Sequence, residues 1–333
     1  MMSNMIGIDI GGTKCAVILG SKSMNQKPDI LDKVMFPTES SRGVTYTLQQ
    51  IFNNIEQILI KNSLKISDIK SFGVSCGGPL DSKQGIILSP PNLIGWDNIN
   101  IVEIIEQRFG VKTRLQNDAN ASALAEWRFG AGIGFQNIIF LTFGTGMGAG
   151  LILNDRLYCG TSDMAGEVGH IRLADFGPVG YGKAGSFEGF CSGGGLAQLA
   201  QMKVLEQLQM GESVSFCASV HELEQVNAKI LSEAAKAGDK LALEIFGICG
   251  RYLGRGLAIL IDILNPEEII IGSIFGRCQE LLRETALEVI QRETLSYTQK
   301  VCRIVPAGLG EQIGDYAALA VAMYDGSDGL WEQ

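Results

Sequence analysis

The stretch IGIDIGGTKCAVILG at residues 6–20 is the first indication of the fold of this chain. Apolar residues alternate with small or polar ones up to Ile10, which is the period of a β-strand. Glycines at 11–12 interrupt the pattern, and an apolar run over 15–19 follows. The stretch therefore predicts two strands joined by a glycine turn, with Asp9 at the end of the first strand.

The same pattern returns at residues 138–153, IIFLTFGTGMGAGLIL. An apolar run enters a glycine turn at Gly144, and a second apolar run leaves it. One such unit would be a common hairpin. Two units with matched turns indicate a duplicated architecture, in which two similar halves face each other.

Helices and buried strands fill the rest of the chain. Apolar residues at helical spacing predict a helix over 44–59, and a long helix is predicted over 239–264, where Asn265 and Pro266 end it. The runs SFGVSCGG and EEIIIG have the apolar character of strands. Strands that alternate with helices indicate the α/β class, with the two halves packed as lobes around a cleft.

The composition excludes several classes of protein. The chain has 333 residues, of which 46% are hydrophobic and 19% charged, and its net charge is −9. A chain this acidic lacks the basic patch with which proteins bind a phosphate backbone, so we expect no nucleic-acid partner. The start has no secretory signal, and Arg255 and Asp262 interrupt the most apolar run, so we expect no membrane partner and a cytoplasmic location. The eight cysteines show no CxxC spacing, which favours free thiols in a reducing compartment.

The two glycine turns are candidate phosphate-binding sites. Consecutive backbone N–H groups in a turn form a nest for anions, and glycine lets a ligand approach closely. Asp9 directly precedes the first turn, and a carboxylate beside a phosphate requires a cation such as Mg²⁺ with its water shell. With a second nest at Gly144, the chain can hold one polyphosphate from both sides. For the first turn alone, a hairpin with an incidental aspartate remains the alternative.

Polar side chains crowd the start of a predicted helix in NDAN at 117–120. A helix N-cap needs one such side chain, and this segment has three. Asp118 is therefore a candidate to accept the proton of a substrate hydroxyl, as phosphoryl transfer requires. Plain N-capping is the alternative.

The glycine-rich segment 160–195 carries three further polar candidates, Glu167, His170 and Glu188. Long structured loops inside a domain usually carry function. Acidic, amide and imidazole groups together suit a polyhydroxylated ligand, and we expect these three residues to lie apart from both glycine turns. The alternative for His170 is a structural role that pins the loop.

In their order and spacing, these motifs resemble the ROK family of sugar kinases and sugar-responsive repressors, within the actin-like ATPase superfold. The motifs that carry the resemblance are DIGGTK at 9–14, GVSCGGPLD at 73–81, PNLIGW at 91–96, NDANASALAEWRFG at 117–130, TFGTGMGAGLIL at 142–153, AGEVGH at 165–170, NPEEIIIGS at 265–273 and GLGEQIGDYAALAVA at 308–322. The resemblance implies an α/β fold with two actin-like (ribonuclease H-like) lobes around a central cleft. The smaller N-terminal lobe would comprise residues 1–117 plus 313–333, and the larger C-terminal lobe residues 118–312.

The resemblance also implies ATP and Mg²⁺ as cofactors and assigns roles to residues. Asp118 is implied as the catalytic base, and Asp9 as the Mg²⁺ residue, acting through water. The implied nucleotide-binding residues are Asp9, Gly11, Gly12, Thr13, Lys14, Gly144, Thr145, Gly146, Gly272 and Ser273. The implied sugar-binding residues are Gly78, Asn117, Glu167, His170 and Glu188.

One departure from the family concerns a metal. Family members follow their Gly-His pair with a zinc motif of the form GxxCxCGxxGC, whereas this chain has FGPVGYGKAGS. Val179, Tyr181 and Ser186 then stand at the three cysteine positions. A structural zinc ion needs about four nitrogen or sulfur ligands, so we expect no bound zinc. A second departure, Ser75 and Cys76 before the usual Gly-Pro segment, bears on the sugar pocket.

The prediction is therefore an ATP:hexose phosphotransferase, glucokinase-like, with glucose as its first substrate candidate. Kinases for an N-acetylhexosamine, fructose or allose are the alternatives within this class. A sugar-sensing transcriptional regulator without a DNA-binding domain is the alternative from another class. The repressors of the family add a helix-turn-helix domain before the first phosphate loop, and Asp9 lies too near the start to leave room for one. The resemblance further implies a homodimer.

Overall fold

A computed structural model describes residues 3–22 and 27–324. The strands are, in chain order, β1 (Ser3–Ile10), β2 (Lys14–Lys22), β3 (Asp29–Pro37), β4 (Ile69–Cys76), β5 (Leu80–Asp81), β6 (Ile86–Ile87), β7 (Ile99–Asn100), β8 (Thr113–Asn117), β9 (Ile138–Leu141), β10 (Ala149–Leu153), β11 (Arg156–Leu157), β12 (Val179–Gly180), β13 (Lys183–Ala184), β14 (Glu268–Ile271) and β15 (Arg303–Pro306). The α-helices are α1 (Val44–Lys61), α2 (Ile101–Phe109), α3 (Asp118–Phe129), α4 (Phe187–Phe190), α5 (Gly193–Gln209), α6 (Ala228–Lys236), α7 (Lys240–Leu264), α8 (Ile274–Arg277), α9 (Gln279–Glu293), α10 (Ser296–Val301) and α11 (Ile313–Met323).

Two five-stranded mixed sheets confirm the predicted α/β class. The first has the order β3-β2-β1-β4-β8, and the second has the order β11-β10-β9-β14-β15. Strands β1 and β2 form the predicted hairpin, with Ile10 facing Cys15 across the turn. Strands β9 and β10 flank the second predicted turn.

Apolar side chains at the predicted positions form the core of the first sheet. Ile6 and Ile8 of β1 are fully buried, as are Ile51 and Ile55 of α1. These residues belong to one hydrophobic cluster, so the apolar face predicted over 44–59 packs against the sheet. Burying large apolar side chains in this way supplies most of the favourable free energy of folding.

The long helix α7 begins at Lys240, one residue after the predicted start, and ends at Leu264 as predicted. The Asp239 side chain accepts a hydrogen bond from the backbone N–H of Ala242 at 2.9 Å, which caps its start. Asn265 adopts the left-handed conformation and ends the helix before Pro266. Across the described ranges, 3–22 and 27–324, no helix combines the length and the apolar character that crossing a bilayer requires.

Packing divides the described chain into two compact units. The first unit lies within 1–140, 150–165 and 308–333, and the second within 141–149 and 166–307. This grouping differs from the predicted lobes in placing residues 118–140, 150–165 and 308–312 in the first unit. Within that unit, Ala121 of α3 packs against Ala317 and Val321 of α11. Residues 1–2, 23–26 and 325–333 of the predicted N-terminal lobe lie outside the described residues. The lobe boundaries stay a prediction.

Candidate active site

Three parallel strands of the first sheet, β1, β4 and β8, end at one edge. The first glycine turn, the loop at Gly78 and the predicted catalytic segment at 117–120 follow these ends. Ile10 of β1 faces Cys76 of β4, and Cys76 faces Asn117 of β8. Because these strands are parallel, the segments that follow their carboxyl ends meet at that edge. A Cβ atom at Gly78, in the loop after β4, would lie 3.1 Å from Nδ2 of Asn117. The loop and the start of α3 are therefore in close contact.

Hydroxyl groups from the segment after β3 anchor the first glycine turn. Thr38 Oγ1 donates to the carbonyl of Gly11 at 2.5 Å, and Ser40 Oγ donates to the carbonyl of Gly12 at 3.1 Å. The carbonyl of Thr13 accepts from the N–H of Thr38 at 3.0 Å. Three consecutive carbonyls are thus held by this segment, which fixes the shape of the turn.

Position 12 of this turn requires glycine. A Cβ atom there would lie 2.6 Å from the carbonyl oxygen of Asn92, which belongs to the PNLIGW segment. Lys14 closes the turn as the first residue of β2, and its side chain is exposed. The motif at 9–14 therefore forms one tightly packed turn.

Asp9 lies in an environment of competing charges. Burial, together with the negative charges of Asp118 and Asp315, raises the pKa of Asp9 to about 7. The positive charges of Lys33 and Lys14 act against this shift. A divalent cation bound beside Asp9 would relieve the repulsion between the carboxylates, and oxygen ligands are those that Mg²⁺ prefers. The residues present therefore fit the predicted Mg²⁺.

Asp315 lies in the motif at 308–322 and Lys33 lies in no motif, and neither is among the predicted site residues. Asp315 lies in the first turn of α11, and its Oδ1 lies 2.6 Å from Nζ of Lys33 on β3. A Cβ atom at Gly314 would lie 3.3 Å from Oδ2 of Asp9, so the start of α11 abuts the first turn. Asp315 is an acid at the start of a helix, which is the same local pattern that made Asp118 a candidate. Its proximity to Asp9 depends on a contact between opposite ends of the chain, which sequence spacing does not indicate.

Two neighbouring side chains cap α3. The N–H of Ala119 donates to Oδ1 of Asn117 at 2.9 Å and to Oδ1 of Asp118 at 2.8 Å. Asn117 is thus the N-cap, which confirms the capping interpretation for this residue. Nδ2 of the buried Asn120 donates to Oε1 of Gln116 at 3.1 Å, while its Oδ1 has no hydrogen-bond partner among the described residues.

Asp118 combines access to solvent with a raised affinity for protons. It is the first residue of α3 and is solvent-exposed. The density of protein around the carboxylate nevertheless desolvates it and raises its pKa, while the hydrogen bond from Ala119 acts in the opposite direction. An accessible carboxylate of this kind can take up a proton from a ligand hydroxyl.

The second glycine turn is closed by its own residues. The N–H of Gly148 donates to Oγ1 of Thr142 at 2.8 Å, and the N–H of Gly144 donates to the carbonyl of Gly146 at 3.1 Å. The carbonyl of Gly144 accepts from the N–H of Gly193 at the start of α5, at 2.7 Å. The predicted turn at 144–146 is therefore confirmed as a compact, self-bonded loop.

Glu188 contacts this second turn, and the expectation that it lies apart from both glycine turns is wrong. Its Oε2 accepts from the N–H of Met147 at 2.9 Å. A Cβ atom at Gly146 would lie 2.8 Å from the same oxygen. This hydrogen bond joins α4 to the second turn. Because the two residues lie far apart in the sequence, their spacing does not predict the contact. The role of Glu188 as a sugar ligand stays a prediction.

Glu167 and His170 lie at the two ends of one short helical turn. Both are exposed, and the N–H of His170 donates to the carbonyl of Glu167 at 3.1 Å. The imidazole meets the ring of Tyr181 edge to face, with 6.0 Å between centroids. Lys183 Nζ donates to the carbonyl of His170 at 2.7 Å. The structure thus brings this pair together, and their roles toward a sugar stay predictions.

Gly272 and Ser273 lie beside the second turn, and their role toward a nucleotide stays a prediction. The N–H of Gly272 donates to the carbonyl of Leu141 at 2.9 Å, which aligns the end of β14 with the end of β9. A Cβ atom at Gly144 would lie 3.7 Å from Oγ of Ser273. Ser273 has a positive φ of 52°, so the backbone turns sharply at this point.

The residues at the three predicted cysteine positions have structural contacts. Val179 donates its N–H to Oε1 of Gln198 and accepts from Nε2 of Gln198 at its carbonyl, each at 2.9 Å. Ser186 is buried, and its Oγ accepts from the N–H of Gly189 at 3.1 Å as the N-cap of α4. Tyr181 is exposed at the tip of the β12–β13 hairpin, with a positive φ of 43°.

In the part of the chain that the structure describes, no group of three or more His, Cys, Asp or Glu side chains is arranged to hold a metal ion. All eight cysteines are free thiols. The Mg²⁺ ion near Asp9, and its contact with Asp9 through water, stay predictions. That the protein works without zinc stays a prediction.

Comparison with known proteins decides the family. The family model described as "ROK family" matches residues 5–324. The chain belongs to the ROK family. A glucokinase of Halalkalibacterium halodurans is 31% identical to this ROK protein over 279 residues, which are 83% of this chain and 82% of the relative.

A solved structure and a regulator extend the comparison. The crystal structure of a ROK family glucokinase from Streptomyces griseus, in complex with glucose and AMPPNP, is similar with a TM-score of 0.73 and 28% identity. The likeness covers 96% of this chain and 99% of that one. The DNA-binding transcriptional repressor Mlc of Escherichia coli is 29% identical over 84% of this chain and 68% of its own length. Both kinases and regulators therefore share this fold.

Proposed function

We propose that this ROK protein is an ATP-dependent sugar kinase that transfers the γ-phosphate of ATP to a hydroxyl of a hexose, with glucose as the first candidate. The observation that carries the proposal is the convergence of Asp118, Asp9 and the first glycine turn at one edge of a sheet. A proton acceptor beside a phosphate-binding turn is what transfer to a hydroxyl requires. The similar glucokinase that holds glucose and AMPPNP supports this choice of substrates.

In this proposal the chain positions the reactants and moves one proton. The sugar hydroxyl oxygen forms a bond to the γ-phosphorus as the bond from that phosphorus to the β,γ-bridging oxygen breaks, and ADP leaves. Asp118 takes up the hydroxyl proton. The nucleotide-binding residues are those of the two glycine turns together with Gly272 and Ser273, which lie beside the second turn.

The metal and sugar contacts are further parts of the proposal. Mg²⁺, when bound, supplies positive charge that offsets the negative charge of the phosphates. Asp9 would hold it through water, since the carboxylates around Asp9 fit a cation. For the sugar we assign Gly78, Asn117, Glu167, His170 and Glu188 by family resemblance. The cap uses Oδ1 of Asn117, and we assign its amide Nδ2 to the sugar as a hydrogen-bond donor.

A sugar-responsive regulator is the second candidate function. It is favoured by the likeness to the repressor Mlc, which extends over most of this chain. Such a protein would bind the sugar without turning over ATP. An N-acetylhexosamine, fructose or allose remains the alternative substrate if the protein is a kinase.

One assay separates these candidates. Purified protein with ATP and excess Mg²⁺ is tested for ADP release with glucose, mannose, fructose, allose, N-acetylglucosamine and N-acetylmannosamine. We expect sugar-dependent ADP release that is highest with glucose. Sugar binding by calorimetry without ADP release from any sugar would favour the regulator instead.

We further propose that this protein forms homodimers and works in the cytoplasm without a nucleic-acid or membrane partner. The basis is the family and the acidic net charge of −9. Light scattering at micromolar concentration should give twice the chain mass of 35.8 kDa. A mass of one chain would contradict the dimer.

A further inference from the structure

A fully buried carboxylate lies near the end of α3, within the motif at 117–130, at a residue with no predicted role. Glu126 has no exposed surface. Its Oε2 accepts from the N–H of Ala131 at 2.8 Å and from the N–H of Gly308 at 3.1 Å, and its Oε1 accepts from the N–H of Leu309 at 2.9 Å. Hydrogen bonds to a charged group are stronger than those between neutral groups, so three of them compensate the burial of this carboxylate.

Glu126 joins two segments that are far apart in the sequence. Ala131 follows the end of α3, whereas Gly308 and Leu309 are the first residues of the compact unit after the chain returns to it at position 308. They lead through a short turn at Gly310–Gln312 into α11. The side chain therefore ties the end of α3 to the entry of α11.

The backbone around Glu126 is shaped to fit this carboxylate. A Cβ atom at Gly130 would overlap its Oε2, and a Cβ atom at Gly308 would lie 2.8 Å from the backbone nitrogen of Ala131. Both positions therefore require glycine for steric reasons. Two glycines, three backbone donors and one buried acid make a specific joint between the segments.

The two helices that meet at this joint carry the acids of the candidate active site. Asp118 is the first residue of α3, and Asp315 lies in the first turn of α11. Gly314 approaches Oδ2 of Asp9, so a shift of α11 would alter the surroundings of that carboxylate. The helices also pack through Ala121, Ala317 and Val321, which transmits a change at one end to the other.

We propose that Glu126 is a positioning residue that fixes the placement of Asp118 relative to Asp9 by locking α3 to the segment that enters α11. The inference rests on the proposed kinase function. Displacing a reacting group by about 1 Å can lower a rate by about a hundredfold. Glu126→Gln keeps the size of the side chain but points an NH₂ group at a backbone donor, so it weakens the joint without leaving a cavity.

The test compares Glu126→Gln with a matched control, Glu268→Gln. Glu268 is also buried and accepts from Arg303 at 2.7 Å, but it lies on β14 in the other unit. We expect Glu126→Gln to lower kcat by about tenfold to a hundredfold, with much smaller changes in the KM values for sugar and ATP. Glu268→Gln should lower Tm without this loss of kcat. A kcat of Glu126→Gln equal to that of the control would overturn the proposal.

A double variant shows whether Glu126 acts through Asp118. If it does, adding Glu126→Gln to Asp118→Asn should cost little further kcat, because the positioned group is already lost. A full multiplicative loss would mean that Glu126 acts elsewhere, and would contradict the inference.

A second substitution at the same joint keeps the proposal testable if Glu126→Gln does not fold. Gly308→Ala presses a methyl group against Ala131 and should reproduce the loss of kcat. Gly247→Ala should not, because a Cβ atom at this helix position would make only an ordinary contact, 3.7 Å from Nη1 of Arg251. Hydrogen–deuterium exchange should rise in peptides that contain Ala131, Gly308 and Leu309 in Glu126→Gln. Unchanged exchange there would refute the joint itself. If the wild type phosphorylates no sugar, the proposed function fails instead, and the exchange result still reports on the joint.

Discussion

The two glycine turns look alike in the sequence and differ in their surroundings. The first is anchored from outside by Thr38 and Ser40, and the carboxylate of Asp9 stands immediately before it. The second is closed from within by Thr142, and the strand that enters it ends without an acid. Its nearby carboxylate, Glu188, belongs to a different element and accepts the N–H of Met147.

This difference separates two kinds of carboxylate. Burial raises the pKa of Asp9, and the negative charges of Asp118 and Asp315 add to this effect, so the group is suited to a cation or a proton. Glu188 uses an oxygen to hold the backbone of its turn. We therefore expect substitutions near the first turn to affect the chemical step and those near the second to affect binding.

The largest expected effect is that of Asp118→Asn. General acid–base catalysis typically contributes about 10²–10⁴-fold, so kcat should fall by roughly that factor while folding and sugar binding persist. Glu188→Gln is the matched variant beside the second turn, since its amide oxygen can still accept from Met147. Steady-state kinetics should show a far smaller loss of kcat for it. Near wild-type turnover in Asp118→Asn would contradict the expectation that substitutions near the first turn affect the chemical step.

A binding effect is expected for Glu167→Gln and His170→Ala. A hydrogen bond to a charged group contributes about 1.5–3 kcal/mol, so the KM for sugar should rise by about tenfold to a hundredfold. The KM for ATP should change far less. Lys229→Ala, at an exposed residue of α6, controls for general surface effects. Equal increases in both KM values would show that the loop has a structural role and would reject these two residues as sugar ligands.

Asp9→Asn should change stability in a way that depends on pH. In the folded protein the pKa of Asp9 is about 7, above the 3.8 of an ordinary aspartate. Between these values the unfolded chain loses its proton first, so the stability of the wild type falls as pH rises and stays low above pH 7. Asparagine does not ionise. In Mg²⁺-free buffer the variant should therefore melt at a higher temperature than the wild type at pH 8 and at a similar one at pH 4.

The control for this prediction is Asp29→Asn, a change at an exposed aspartate at the start of β3. It should leave the difference in Tm between pH 4 and pH 8 unchanged. Asp9→Asn should also be inactive, so the gain in stability at pH 8 would accompany a loss of function. A variant that melts lower than the wild type at pH 8 would show that the carboxylate cluster does not destabilise the fold.

The smallest expected effect is that of a chelator. The loop behind the second turn is held by Gln198 at Val179 and by Lys183 at the carbonyl of His170. Treatment with EDTA, followed by excess Mg²⁺, should change neither Tm nor activity. Elemental analysis should find zinc well below one atom per chain. Stoichiometric zinc whose removal abolishes activity would reject the alignment of the motif.

Much of the fold follows from local patterns. The alternating run before Ile10 forms β1, and the apolar face over 44–59 forms α1. The cap at Asp239 and the break at Asn265 set the bounds of α7, because caps and breakers act within one helical turn. The segment 160–195 was predicted only as a loop, and it contains the β12–β13 hairpin and α4. Its glycines mark turns but not the short elements between them.

In the candidate site, too, the residues with a local signal were predictable, and the contacts between distant elements were not. Asp118 and Asn117 stand out because an acid and an amide at a helix start are a local signal, and the structure places them at the carboxyl end of β8. The contact between Glu188 and Met147 was missed, since the two residues lie on different elements. Glu126 was missed because a single glutamate in an apolar helix looks like any other charged residue.

Local patterns in the chain account for the two glycine turns, the capped helices and the identity of the acids, because strand and helix periods, turns and caps depend on neighbours within a few residues. Which of those groups meet follows instead from the packing of distant elements. Lys33 pairs with Asp315 beside Asp9, and Glu126 holds Gly308 and Leu309, through packing that joins the two ends of the chain. Such contacts depend on how whole strands and helices pack against each other. That packing is determined by many core residues together, so the local sequence around the contacting residues does not predict it.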